Sequence, residues 1–245
     1  MIKRFWKFFC SRFETRRGLK IASIVFFAVY LTVFFLLEGR EGLTYYIISS
    51  PIDDSIPFIP HFVWFYYSWF VYCYVILIIF FFTSEKDYFN AFWFMAFGMT
   101  VFCIFSYFCP TGLELRPDTV EGSGLSAMLV RAMYAIDTPT NVFPSIHVYD
   151  TVGMHAAILR SETVASWAAR HSKDEASCNR KIRIVRWVSA VWAVLICLST
   201  LFIKQHSVID LIGGLVMGAV VYFFMYMLPR REKTPPPASG RHLPS

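Results

Sequence analysis

Ser199-Thr-Leu-Phe-Ile-Lys-Gln-His-Ser-Val-Ile-Asp210 joins two long apolar runs, Ile184 to Ile203 and Val208 to Leu228. Each run approaches the ~20 residues needed to cross a hydrocarbon core about 30 Å thick. A chain that leaves one such run and begins the next within four polar residues is folding back as a pair of membrane helices. Lys204, His206 and Asp210 therefore sit at the mouth of an apolar helix, where charge is costly. If the chain is helical from Ser207, His206 and Asp210 lie one turn apart on one face. The carboxylate then fixes the imidazole tautomer and makes one ring nitrogen a base or nucleophile. Lys204 adds positive charge, and Ser199 at the end of the preceding run is a further polar candidate. The same residues also admit a plainer reading, a His and an Asp paired for burial at the interface.

Working outward, the rest of the chain has the same character. It is 56% hydrophobic, 19% aromatic and only 16% charged over 245 residues, with a mean hydropathy of +0.50. That composition points to an integral membrane protein. Further apolar runs are Ile21 to Leu37, His61 to Phe82 and Ala91 to Cys109. Ser145 to Ala169 is a more polar candidate containing His147, Asp150, His155, Arg160 and Glu162. A helix of that composition is excluded from lipid unless its polar face looks into protein or a water-filled cavity. The expected architecture is thus all-α, a bundle of six transmembrane helices over residues 21–228. Residues 1–20 form a basic, aromatic juxtamembrane segment and residues 229–245 a basic, Pro-rich tail expected to be disordered. Gly213, Gly214 and Gly218 in the last run allow close helix contact.

Charge tests the parity. Six spans put both termini on one side, and all but Arg40, Arg116, Arg131 and Lys204 of the 23 Lys and Arg then fall on that side. By the positive-inside rule the termini are cytoplasmic, and the net charge of +6 reads as a topology signal rather than a nucleic-acid footprint. Six cysteines show no C-x-x-C pair and no clustering with histidine, so neither a disulfide framework nor a metal site is expected.

With this topology the loop Pro110 to Pro144, the start of the fourth span and the turn Lys204 to Ser207 share the extracytoplasmic face. Pro144-Ser145 reads as a helix start whose amides and dipole favour an anion. His147 lies in that first turn. Asp150, three residues on, either orients His147 or lines the pocket. Arg116 supplies a planar fork suited to phosphate oxygens. Leu125 to Met133 reads as a short helix resting on the outer surface. His61 and His155 carry no site assignment.

Pro144-Ser145-Ile146-His147, together with Ser199-Thr200 followed by His206 and Asp210, resembles the type-2 phosphatidic acid phosphatase superfamily. That group includes lipid phosphate phosphatases and inositol phosphorylceramide synthase-like phosphotransferases. The family's first motif survives as Arg116-Pro117, with Cys109 where the family has Lys, and in its third motif Thr200 stands where the family has Arg; Lys204 is the local substitute. The resemblance implies a lipid phosphate substrate, no cofactor and no metal. It implies His206 as nucleophile oriented by Asp210, and His147 as acid and base. Arg116, Ser145, Ile146 and Lys204 are placed around the phosphate. A hydrolase is the first expectation, a phosphotransferase to an alcohol the second, and a transporter the third, in a multi-pass plasma-membrane protein.

Overall fold

The computed structural model describes residues 16–227, and the fold is helical apart from one two-residue strand pair. The expectations for most of the N-terminal segment and for the tail lie outside the described residues. Helix α1 spans Arg16–Glu38. Strand β1 (Tyr46–Ile47) and the short α2 (Pro51–Ser55) follow. The second apolar run is continuous: a helical turn at Pro60–Phe62, α3 (Val63–Phe70), a π turn at Val71–Val75 and α4 (Ile76–Thr83). Then come α5 (Glu85–Phe108), β2 (Thr111–Gly112), α6 (Leu125–Ile136), α7 (Ile146–Leu159), α8 (Glu162–Arg170), α9 (Glu175–Phe202) and α10 (Val208–Tyr222). β1 pairs parallel with β2 through Tyr46 and Thr111.

Among the described residues, five helical stretches are long and apolar enough to cross a membrane: Gly18–Glu38, Pro60–Thr83, Glu85–Phe108, Glu175–Phe202 and Val208–Met227. The expected single span from Ser145 to Ala169 is corrected to two helices, α7 and α8. The break has a cause far away in sequence. Ser161 caps α8 by accepting from the Val164 amide, and donates its hydroxyl proton to Asp87 Oδ2 at 2.7 Å. The buried Asp87 carboxylate also accepts from the amides of Glu162 and Thr163. Four donors are thus satisfied by ending one helix and starting another. At 14 residues α7 is about 21 Å long.

That short, polar helix is the centre of the bundle. It packs against α5, α9 and α10, and Val148, Tyr149, Asp150, Thr151 and Met154 are fully buried. Its polar residues are kept from lipid by three neighbours, the condition under which such a helix is tolerated. α10 approaches closely through Gly214, where an added Cβ would stand 2.6 Å from the Ser145 carbonyl oxygen. α1 lies against α5 through edge-to-face contacts of Phe26 and Phe27 with Phe92. α6 is amphipathic, with Val130 and Met133 buried and Leu125, Met128 and Ile136 exposed.

Candidate active site

The ends of α1, α5 and α9 and the starts of α3, α7 and α10 meet at one end of the bundle. There α9 stops at Phe202, and the carbonyl of Thr200 takes the amides of both Gln205 and His206 at 2.9 and 3.1 Å. Lys204 occupies the left-handed region, with φ of 55°. Ser207 then caps α10 in a capping box whose returning carboxylate is Asp210, which accepts from the Ser207 amide at 2.8 Å. The same Asp210 oxygen lies 3.4 Å from His206 Nδ1. That is ion-pair distance without hydrogen-bond alignment, since His206 Nδ1 has no hydrogen-bond partner among the described residues. One carboxylate therefore both starts the helix and faces the imidazole.

Ser145 caps α7, accepting from the Val148 amide, and its own amide donates to the Asp210 carbonyl at 3.1 Å. The two helix starts are tied together, which brings His147 to His206: Nδ1 of one is 3.4 Å from Nε2 of the other. The His147 ring is held on its other sides by Tyr66 and Trp69, with ring centroids 4.6 and 4.5 Å away. His206 is 8% exposed and Asp210 fully buried.

Both histidines and Ile146 line a cavity of about 290 Å³ between α1 and the α3–α4 helix. Its walls are aromatic and aliphatic, including Tyr30, Phe34, Phe70 and Tyr74, and Leu31 and Phe35 of the lining reach the exterior at 48% and 59% exposure. Its polar end is formed by Glu38, Asp137, Thr138, Thr140, Asn141 and Gln205.

The other expected residues divide. Arg116 is close but committed: its guanidinium donates to the carbonyls of Tyr134 and Asp137 and to Gln205 Oε1, and stacks 4.2 Å over the Tyr134 ring. It does not line the cavity; Gln205 stands between. Burial pushes the Arg116 guanidinium below its ordinary value, with the Asp137 carboxylate acting the other way. The Tyr134 phenol beneath it is pushed up to about 12 by burial, against the pull of Arg116. Lys204 is engaged away from the histidines. Its left-handed backbone turns the side chain from the cavity, and its ammonium donates to the carbonyls of Asp53 and Ile56 at 2.7 and 2.6 Å. Asp150 is also off the cavity, fully buried, with neither oxygen hydrogen-bonded among the described residues. Ser199 is buried and returns its hydroxyl to the Ile196 carbonyl in its own helix. Ser145 acts as a cap, and its hydroxyl is not in the lining. His61 and His155 are satisfied by Ser126 and Ser189 hydroxyls.

Three contributors have no counterpart among the expected residues. Asp53 accepts from Ser50, the Ser207 hydroxyl and the Val208 amide at 2.6 to 2.8 Å, and so fixes the turn that carries His206. Glu38 accepts from Thr138, Thr140 and Asn141. Asp137 accepts from Tyr66 and Gln205 at 2.5 and 2.8 Å. A charged residue closing an apolar run and the polar stretch Asp137 to Asn141 were the available signals. Comparison with family models, curated proteins and solved structures finds no match to this chain.

Proposed function

We propose that the protein is a membrane-embedded phosphatase of lipid phosphates or pyrophosphates that works through a phosphohistidine. The observation that carries this reading is the pair of facing imidazoles, one backed by a carboxylate, set at the inner end of an apolar cavity. With Nδ1 turned to Asp210, His206 presents the lone pair of Nε2. Nε2 attacks phosphorus, the bond from phosphorus to the lipid oxygen breaks, and His147 gives that oxygen a proton. Water then loses a proton to His147 and attacks in turn, and the bond from phosphorus to His206 breaks. Reacting atoms ~3–3.5 Å apart, plus a hydrogen bond from His147 to the leaving oxygen, require more room than the 3.4 Å between the nitrogens. Substrate must therefore part the rings.

The lipid chains lie against the aromatic wall between α1 and α3–α4, reached from the side where Leu31 and Phe35 are exposed. In this reading α7 is a sixth, protein-enclosed span, the termini are cytoplasmic and the site opens at the headgroup level of the outer leaflet of the plasma membrane. A second reading, transfer of the phosphoryl headgroup to an alcohol, is favoured by one observation. Among the described residues no Lys or Arg lines the cavity, while Glu38 and Asp137 do. A phosphate diester carries less charge into such surroundings than a monoester dianion.

The test is turnover by purified protein of phosphatidic acid, polyprenyl pyrophosphate and phosphodiester lipids, with and without alcohol acceptors. His206→Ala is expected to lower turnover by roughly three orders of magnitude or more. Full turnover in that variant would falsify the mechanism.

A further inference from the structure

From Lys20 to Lys204, every lysine and arginine but one group donates a hydrogen bond to a protein oxygen. The exceptions are Arg170, Lys173, Arg180 and Arg183, which are exposed and have no hydrogen bond, ion pair or ring contact among the described residues. They lie together. Arg170 ends α8, and Arg180 and Arg183 stand in the first three turns of α9. The Lys181 ammonium donates to the His171 carbonyl and so holds the end of α8 against the start of α9. Between Arg170 and Arg183 five cations meet two carboxylates, Asp174 and Glu175, and Asp174 is committed to capping α9 through the Ser177 amide at 2.7 Å. The corner between the two helices is therefore net positive.

The length of α9 places that corner relative to a bilayer. Its lipid-facing side begins at Ile184, and Ile184, Trp187, Val188 and Val191 are all exposed. From Ile184 to Phe202 the helix rises about 28 Å, close to the ~30 Å of a hydrocarbon core. Arg183 and Arg180 then fall about 2 and 6 Å past the hydrocarbon boundary, within the layer that headgroups occupy. Trp167 on α8 and Trp187 on α9 are exposed on either side of the cluster in sequence, as aromatic residues are at such a boundary.

We infer that the corner between α8 and α9 holds the headgroup phosphates of anionic phospholipids in the adjoining leaflet, the cytoplasmic one in the orientation proposed above. Arginine forks match phosphate oxygens, and side chains without a protein partner are free to turn toward them. A zwitterionic headgroup offsets its phosphate with its own ammonium and gains little from a cationic surface. An anionic lipid brings the net negative charge that such a surface attracts. Arg180 lies about 33 Å along α9 from Phe202, so this surface is remote from His206 and does not depend on the reaction assigned there.

The experiment is native mass spectrometry of the full-length protein released from nanodiscs of equal parts phosphatidylglycerol and phosphatidylcholine. Phosphatidylglycerol should exceed phosphatidylcholine among the retained lipids by about threefold or more. Arg170→Gln, Lys173→Gln, Arg180→Gln and Arg183→Gln combined should remove at least about half of that excess. The melting temperature of this variant in phosphatidylcholine alone should stay within about 2 °C of the parent, since the side chains removed have no protein partner. Lys3→Gln, Arg4→Gln, Lys7→Gln and Arg12→Gln combined take the same charge from the N-terminal segment and should cost less of the excess. Equal retention of the two lipids by the unaltered protein overturns the inference whatever the variants do, and leaves the surface to a soluble anionic partner. An unchanged excess in the α8–α9 variant overturns it too. So does an equal loss in both variants, which would make net charge, and not this corner, the source of the attraction.

Discussion

Asp210 carries two roles in one carboxylate, and they are separable by mutation. Asp210→Asn keeps a cap but weakens the field on His206 Nδ1, so turnover should fall by about 10²–10⁴-fold while stability changes by only ~1 kcal/mol. Ser207→Ala loses the cap from the hydroxyl and its bond to Asp53, but leaves the Asp210 side chain facing His206. It should cost about 1–2 kcal/mol of stability with a smaller loss of turnover. Thermal unfolding and single-turnover rates on the two variants check this crossover. At this scale the sequence was readable where chemistry follows from local spacing. His206 and Asp210 do face each other, although His206 stands just before the Ser207 cap and only Asp210 is in the helix, so the capping box rather than a shared helix face brings them together. Lys204 was not readable, because its direction depends on a left-handed backbone and on carbonyls of Asp53 and Ile56 about 150 positions earlier in the chain.

Among elements, the site depends on how closely α7 and α10 begin together. The Ser145 amide bonds the Asp210 carbonyl, and Gly214 gives the room for it. Gly214→Ala would set a methyl group 2.6 Å from the Ser145 oxygen, and two helix backbones must then move apart. The expected cost is about 1–3 kcal/mol. Turnover should fall together with stability, as His147 is drawn from His206; activity and melting temperature of the variant decide it. Asp53, in the short α2, matters for the turn as much as any residue within it. Asp53→Ala strips partners from Ser207 and Val208 and should destabilise by about 2–4 kcal/mol, measured by unfolding. The apolar runs gave five long helices because their periodicity and length are local properties. The break at Arg160-Ser161 was hidden, because the residue that makes it worthwhile is Asp87 at the start of α5.

For the whole molecule, the proposed orientation is a matter of sides. Asp118 and Lys173 are both exposed and lie at opposite ends of the bundle. With the native cysteines replaced, Asp118→Cys should react with a membrane-impermeant maleimide in intact cells, and Lys173→Cys only after permeabilisation. The reverse pattern would invert the site to the cytoplasm. The cavity itself could not be read from sequence. It exists because α1 leans on α5 through Phe26 and Phe27 and leaves its Leu31 and Phe35 end beside the α3–α4 helix. No single segment encodes that gap, so the charge of Glu38 and of Asp137 could be noticed in the sequence but not assigned to one cavity.

The enclosure of α7 also bears on how the chain is made. A 14-residue helix carrying His147, Asp150 and His155 has little tendency to leave the translocon for lipid unaided, since it is shorter than the ~20 residues that cross a bilayer and ionisable residues within a span are costly. Two of the three helices that shelter it, α9 and α10, are synthesised after it. In the proposed topology α7 therefore enters the membrane only with partners that follow it off the ribosome. A nascent chain ending at Arg170 should leave residues 146–170 outside with the loop before them, where a glycan acceptor placed in α8 would be modified.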